Sequence, residues 1–151
     1  MKWFIIVIMT QQLNAFGKSE MPLWIPEMVF EGKEECMTFA RNNQLTTVLF
    51  PNTRIKLYKN AFSTCANLES INLSNVNEIH EFAFYKCDKL KTISFIEDDS
   101  LYIKYQAFEH CAITSINFNI LNTGTLHIEH RAFEDNDELQ EVHFGDANTI
   151  T

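Results

Sequence analysis

The stretch IHEFAFYKCDKLKTISF, residues 79–95, contains a frame of apolar and small residues that recurs along the chain. In it, an Ala-Phe pair at Ala83 and Phe84 is followed three residues later by Cys87 and then by apolar residues at intervals of two or three. One such stretch is too short to enclose a core by itself. A complete core therefore requires further copies of it in the same chain.

Five copies of the frame are present, and phenylalanine marks the same position in each. These residues are Phe39, Phe62, Phe84, Phe108 and Phe133, with steps of 23, 22, 24 and 25 residues between them. A period in the low twenties is typical of one coil of a solenoid, in which neighbouring coils bury each other's apolar side chains. The sequence therefore predicts a repeat solenoid of about 4–5 coils, each of 22–25 residues, over residues 36–151.

Two short alternations of apolar and polar residues occur in most copies. Ile71-Asn72-Leu73 represents the one after the Ala-Phe pair, and Ile55-Lys56-Leu57 represents the one before it. Alternation with a period of two predicts half-buried strands. We expect short parallel strands on two walls of each coil, joined by loops or by short helical or 3-10 segments.

The frame Ile-x-x-x-Ala-Phe-x-x-Cys-x-x-Leu-x-x-Ile-x-Leu resembles the BspA-type leucine-rich repeat family, from about Glu35 to the C-terminus. Residues 79–95 fit it position by position, with Phe95 in place of the final Leu. The resemblance implies a leucine-rich-repeat-like fold. It also implies a surface or secreted protein with a role in adhesion and protein binding.

The N-terminus does not follow the repeat. Lys2 precedes an apolar run from Trp3 to Met9, and small residues follow at Ala15 and Gly17. This layout predicts a signal peptide within residues 1–17, with cleavage after Ala15. The apolar run is too short to span a bilayer. The alternative is an N-terminal strand that packs on the first coil. Residues 18–35, with Pro22 and Pro26, are expected to form an N-terminal cap.

Three of the four cysteines occupy one position of the repeat, at Cys65, Cys87 and Cys111, and asparagine takes that position at Asn42 and Asn136. Asparagine cannot form a disulfide. The pattern therefore favours a small buried side chain that bonds to backbone near a turn, over a disulfide between coils or a metal site. Cys36 lies outside the frame and receives no assignment.

Other patterns provide no site for catalysis, metal or cofactor. The net charge of −8 argues against nucleic acid as a partner. His127 and His130 lack the further ligands that zinc requires, and the acidic segment 97–100 lacks the spacing of a calcium loop. We predict a protein that is not an enzyme, needs no cofactor and has no membrane span.

The outward positions of the repeated strand are the candidate ligand-binding residues. They carry mostly short, uncharged side chains with hydrogen-bonding groups: Thr47, Leu49, Ser70, Asn72, Thr92, Ser94, Ser115, Asn117, Glu141 and His143. Such a surface suits broad recognition of a protein or a glycan better than capture of a small molecule.

The predicted function is that of a secreted or cell-surface recognition and adhesion module. One alternative is a structural solenoid that associates end to end or forms part of a longer array, because Ile150 resumes the pattern near the last residue. Another is an intracellular, cytoplasmic interaction scaffold, which would apply if the N-terminus is not a signal peptide.

Overall fold

The computed structural model describes residues 3–9, 23–24, 28–30, 39–50, 54–97, 100–120, 124–145 and 149–151. For the first three segments it describes the backbone alone. Cys36, the segment 98–99 and the predicted cleavage site lie outside these residues.

The described residues form short strands joined by turns, and none of them is helical. The connections predicted as loops or short helical segments are therefore turns. The strands are β1 (Trp3–Met9), β2 (Leu23–Trp24), β3 (Met28–Phe30), β4 (Thr47–Leu49), β5 (Ile55–Leu57), β6 (Ser70–Ile71), β7 (Val76–Ile79), β8 (Thr92–Glu97), β9 (Leu101–Ile103), β10 (Ser115–Ile120), β11 (Thr125–Ile128), β12 (Glu141–His143) and β13 (Thr149–Ile150).

Two sheets form opposite walls of the solenoid. The first sheet has the order β12-β10-β8-β6-β4-β1-β2, and β3 pairs with β1. The second sheet has the order β13-β11-β9-β7-β5. From β4 onward the neighbours in both sheets pair in parallel. Each coil contributes one strand to each wall, so the predicted solenoid of leucine-rich-repeat type is confirmed.

The core between the walls consists of stacked columns, because each coil repeats the same side chain at the same place. The rings of Phe39, Phe62, Phe84, Phe108 and Phe133 stack with centroids 4.9–5.4 Å apart and planes within 9° of parallel. The three central phenylalanines of this column have no exposed surface. Ala61, Ala83, Ala107 and Ala132 are also buried, consistent with the close approach of neighbouring coils.

Each coil has a third side, which we call the turn wall. It runs from the end of the second-sheet strand to the cysteine position, as in residues 58–65. Here the Phe N–H of one coil donates to the Ala carbonyl of the next. The bonds are Phe39 N to Ala61 O, Phe62 N to Ala83 O, Phe84 N to Ala107 O and Phe108 N to Ala132 O, at 2.6, 2.7, 2.7 and 2.8 Å. Neighbouring coils are therefore joined by backbone hydrogen bonds along the turn wall as well as along the two sheets.

The turn wall requires left-handed backbone two residues before and two residues after the phenylalanine. The non-glycine residues with φ between 54° and 63° are Arg41, Asn60, Thr64, Phe82, Lys86, Gln106, His110, Arg131 and Asp135. Such a conformation costs a non-glycine residue about 1–2 kcal/mol. The bonds between coils, such as Thr64 N to Tyr85 O at 2.6 Å, maintain it.

The N-terminal strand β1 pairs antiparallel with β4, with Val7 opposite Val48. The alternative to a signal peptide, an N-terminal strand that packs on the first coil, describes this arrangement. The signal peptide within residues 1–17 and the cap at 18–35 both remain predictions, because strand pairing is not a test of cleavage.

Candidate recognition surface

The outward side of the first sheet carries the residues predicted to bind a ligand, and the strand register aligns them. Thr47, Ser70, Thr92, Ser115 and Glu141 are neighbours on successive strands. Ser94, Asn117 and His143 are neighbours in the next outward column. We call the solvent-facing part of this surface the polar face: Thr47, Ser70, Asn72, Thr92, Ser94, Ser115, Asn117, Glu141 and His143. Thr47 and Ser115 are half-buried, and the others are exposed. For Leu49 the structure describes the backbone only.

Alternating burial along the strands explains why these residues face solvent. Ile93 and Phe95 are fully buried, whereas Thr92 and Ser94 on the same strand are exposed. Successive side chains of a strand point to opposite sides, so the apolar residues enter the core and the short polar residues remain outside. The sequence frame thus positions the polar face directly.

Most hydrogen-bonding groups on the centre of the polar face are unused within the chain. Thr92, Ser94, Ser115 and Asn117 have no side-chain partner in the part of the chain that the structure describes. The side-chain oxygens of Thr47 and Ser70 are 3.4 Å apart, and Asn72 Oδ1 accepts bonds from the backbone N–H and the hydroxyl of Ser74. Glu141 and His143 lie 3.6 Å apart at the outer strand. The four central side chains can therefore bond to another molecule without breaking a bond within the protein.

The outward side of the second sheet is organised differently, because its side chains pair with one another from coil to coil. In one column Lys56 forms an ion pair with Glu78, and the Tyr102 ring lies 5.9 Å from the His127 ring. We call this surface the paired face: Lys56, Tyr58, Glu78, His80, Tyr102, Lys104, His127 and Glu129. Its residues use each other as partners.

The second column of the paired face also contains one ion pair and one ring pair, but in the opposite order along the solenoid. Tyr58 stacks on His80 with centroids 5.4 Å apart, and Lys104 Nζ lies 3.0 Å from Glu129 Oε1. Glu129 Oε2 also accepts the backbone N–H of Tyr105 at 2.9 Å. Ion pairs and ring pairs therefore alternate across this wall.

The ion pairs shift the titration of their members in the direction expected for opposite charges. The bond to Glu78 raises the pKa of Lys56, and the same bond lowers the pKa of Glu78. Partial burial alone would raise the pKa of Glu129, but the bonds from Lys104 and from Tyr105 N outweigh it, so the pKa of Glu129 is lowered. The bond to Glu129 raises the pKa of Lys104. Both pairs are therefore fully charged at neutral pH.

Comparison with protein families assigns the repeat. A family model described as a BspA type leucine-rich repeat region of six copies matches residues 33–140 and 106–151, which together cover more than half of the chain. The chain belongs to the BspA-type leucine-rich repeat family. Comparison with curated proteins gave no match, and comparison with solved structures gave none either.

Membership in this family gives the coarse function of the chain. BspA-type leucine-rich repeats are repeat-based interaction or surface modules, and the repeat family is typically not enzymatic. Within the described residues, no helix has the length and hydropathy needed to cross a membrane.

The cysteine position of this BspA-type repeat protein has the structural role predicted from the sequence. Cys65, Cys87 and Cys111 are free thiols and buried. Each Sγ lies 3.1–3.3 Å from the phenylalanine carbonyl of the preceding coil. In the last coil Asn136 Nδ2 donates to Phe108 O at 2.8 Å. Thiol and amide share this position because both donate to the same carbonyl.

Burial makes two of these thiols, Cys65 and Cys87, poorly reactive. Removal from water, together with the neighbouring Cys87, raises the pKa of Cys65 to about 12. The hydrogen bond between the Cys87 thiol and the neighbouring Cys111, together with burial, also raises the pKa of Cys87. Since the thiolate is the reactive form, neither cysteine is suited to act as a nucleophile or metal ligand at neutral pH.

Among the residues that the structure describes, the turn wall contains a group of side chains of the types that bind metals, and the sequence pattern did not single it out. Glu109, His110 and Asp135 bring their ligand atoms within 4.8 Å of one another. The His110 ring lies 3.6 Å from Glu109 and 3.2 Å from Asp135, and buried Glu109 also receives a bond from Gln106. Glu109 and His110 are adjacent in the sequence, but Asp135 lies 25 residues after His110. Only the stacking of the coils brings Asp135 to the other two. Their mutual contacts account for the arrangement.

His127 and His130, considered as metal ligands on their spacing alone, have other partners. His127 Nδ1 lies 2.9 Å from Thr151 Oγ1, and the His130 ring lies 4.7 Å from the Tyr105 ring. With His80 and His110 against Tyr58 and Tyr85, all four tyrosines contact a histidine of the next coil. These histidines belong to ladders of side chains along the solenoid.

Proposed function

We propose that this chain is a non-enzymatic recognition and adhesion module that acts outside the cell and binds a protein or a glycan through the polar face. The main support for this proposal is the difference between the two outward walls. The paired face uses its own functional groups, whereas the centre of the polar face leaves its hydroxyl and amide groups without partners. Free groups can replace their bonds to water by bonds to a ligand at little cost.

The chemistry of the polar face indicates the kind of ligand. Its central residues Thr92, Ser94, Ser115 and Asn117 are short and uncharged, so an ionic partner has nothing to pair with there. Neighbouring strands are about 4.8 Å apart, and alternate residues of one strand are about 7 Å apart. This spacing presents donors and acceptors as a regular array. A flat polar surface of a protein or of an extended glycan fits such an array.

The extracellular location rests on two observations. The N-terminal sequence has the layout of a signal peptide, and the family is one of interaction and surface modules. Amino-terminal sequencing of the protein from its native source tests this part of the proposal, because export would remove residues up to about Ala15. An unprocessed N-terminus in the native source would favour the intracellular scaffold instead.

The binding surface is tested by introducing large charged side chains into the polar face. The 151-residue chain is first screened against a glycan array and a panel of purified extracellular-matrix proteins. We then expect Ser94→Arg combined with Asn117→Arg to abolish binding to any ligand found, because both positions are exposed at the centre of the face. The matched control is His127→Arg combined with His130→Arg on the other side of the coil. Equal loss in both double variants, or unchanged binding in the first, would disprove the proposed site.

A second candidate function is structural, namely stacking of the solenoid on another copy or on further coils. It is favoured by the exposure of Val142, Phe144 and Ile150, which occupy core positions of the repeat. Chromatography at several concentrations separates the two candidates, because recognition through the polar face does not itself require association.

A further inference from the structure

The segment after strand β6 contains Asn72-Leu73-Ser74, which has the Asn-x-Ser pattern of an acceptor for asparagine-linked glycans. No other asparagine of the chain is followed two residues later by serine or threonine. A three-residue pattern also arises by chance, and the exposure and hydrogen bonds of Asn72 therefore decide whether it can act as an acceptor.

Strand alternation directs the Asn72 side chain to solvent. Its two neighbours, Ile71 and Leu73, are buried, whereas Asn72 is exposed. Strand β6 ends at Ile71, and Asn72 lies outside the strand pairing of the first sheet, unlike Ser94 and Asn117 at the same position of later coils. A large group on Asn72 therefore projects from the end of a strand and enters neither the core nor the strand ladder.

The hydrogen bonds of the Asn72 side chain involve its oxygen alone. Oδ1 accepts the backbone N–H of Ser74 at 2.9 Å and the Ser74 hydroxyl at 2.5 Å. A backbone N–H can only donate, so the accepting atom is the oxygen and the orientation of the amide is determined. Within the described part of the chain Nδ2 donates to no group, which leaves this nitrogen free to receive a substituent.

The same two bonds give Ser74 a chemical role. The lone pair of an amide nitrogen is delocalised into its carbonyl, so Nδ2 is a poor nucleophile. Donors to Oδ1 stabilise the negative charge that this oxygen gains when Nδ2 loses a proton. Because the bonds span only two residues, they are local to the turn and do not require the coils to be stacked.

We propose that Asn72 carries an asparagine-linked glycan. The reaction joins Nδ2 to the first sugar carbon of a lipid-linked oligosaccharide pyrophosphate. The bond from that carbon to the pyrophosphate oxygen breaks, the lipid pyrophosphate leaves with the electron pair, and one amide proton is released, so neither an oxidant nor a reductant is needed. This modification rests on the proposed extracellular location, because such acceptors are used in exported chains.

The glycan is attached at the side of the polar face whose groups are already bonded within the chain. There the side-chain oxygens of Thr47 and Ser70 lie 3.4 Å apart, and Asn72 is bonded to Ser74. The centre of the polar face, where the side chains have no partner, contains no acceptor pattern. The modification therefore leaves the centre and the β12 side of the polar face for the ligand.

Protein isolated from its native source tests the modification and the export on one sample. We expect a processed N-terminus, a loss of mass on treatment with peptide-N-glycosidase, and conversion of the Asn72 amide to a carboxylate by that treatment. A processed N-terminus with unmodified Asn72 would overturn the modification and leave the proposed function in place. An unprocessed and unmodified chain would overturn both.

Translation in the presence of microsomes tests the acceptor itself. A signal peptide of established function is fused ahead of Met1, so that entry does not depend on residues 1–17. The wild-type chain and Ser74→Thr should gain mass that peptide-N-glycosidase removes, whereas Ser74→Ala and Asn72→Gln should lose this gain completely. The matched control is Asn117→Gln, at an exposed asparagine with no hydroxyl two residues later, and it should retain the gain. Entry of the wild-type chain without a gain in mass, or a gain that persists in Ser74→Ala, would disprove the site.

Discussion

The two outward walls of this solenoid come from the same backbone repeat but differ in what their side chains bond to. On the paired face, Lys104 bonds to Glu129 and Tyr58 stacks on His80. At the centre of the polar face, the side chains of Ser94 and Asn117 form no hydrogen bond in the part of the chain that the structure describes. The side-chain length explains the difference. Neighbouring coils are about 4.8 Å apart, a distance that lysine, glutamate, tyrosine and histidine bridge readily. The short side chains at the centre of the polar face form no such bond, although Thr47 and Ser70 approach to 3.4 Å at one side of it.

This contrast separates stability from recognition. Pairs along the paired face add to the cohesion between coils, so substitutions there should change the free energy of unfolding. Substitutions on the polar face should leave that free energy nearly unchanged and alter binding instead.

The largest effect is expected from the phenylalanine column. Phe84→Ala should lower the free energy of unfolding by about 3–5 kcal/mol, because it leaves a cavity between two stacked rings that are fully buried. Urea denaturation measures the change. Phe144→Ala is the matched control, since Phe144 is 41% exposed, and should cost less than half as much. Equal costs at both positions would mean that stacking between coils does not set the stability.

A smaller effect should distinguish the two walls directly. Glu129→Ala removes the bonds to Lys104 Nζ and Tyr105 N, and should cost about 1 kcal/mol, near the upper end of the range for partly exposed ion pairs. Ser94→Ala on the polar face should change the free energy of unfolding by less than about 0.5 kcal/mol. Urea denaturation of both variants is the measurement. A reversed order would refute the division of roles between the walls.

The smallest effect is the dependence of the paired face on pH. The pKa values of Glu78 and Glu129 are lowered from 4.5, so their stabilisation is complete above about pH 4.5 and is lost as the pH falls through the lowered values. The pKa values of Lys56 and Lys104 are raised from 10.5, so the lysine contribution is complete below about pH 10.5 and is lost above the raised values.

The difference in unfolding free energy between wild type and Glu129→Gln isolates this term. It should be constant from about pH 6 to 9 and should shrink at both extremes. Ser94→Ala serves as the control and should show no such dependence, because position 94 does not titrate. A constant difference down to pH 3 would show that the ion pair is not the source of the stabilisation.

Much of the fold could be predicted from the sequence because a solenoid repeats its core at a fixed interval. The spacing of Phe62, Phe84 and Phe108 gave the coil, and the shared position of three cysteines and Asn136 indicated a backbone partner that the structure shows to be a phenylalanine carbonyl. The outward residues of the first sheet followed from strand alternation. These features depend on local order and periodicity alone.

The left-handed residues of the turn wall could not be predicted, because glycine usually marks such positions and none is present at them. Thr64 and Phe82 adopt positive φ although one is β-branched and the other bulky. The bonds of Thr64 N to Tyr85 O and of Phe82 N to Tyr105 O come from the next coil. The conformation is therefore imposed by stacking and leaves no local signal.

The amino-acid sequence by itself determined the period, the core columns and the identity of the outward residues, since each of these depends on spacing within one coil. Only the tertiary structure decided which outward residues pair across coils. Strand β7 contains an extra residue relative to β5, and the register shift places Glu78, and not Asn77, beside Lys56. Partners 22–25 residues apart meet only when the coils are in register, and that register is a property of the stacked coils as a whole.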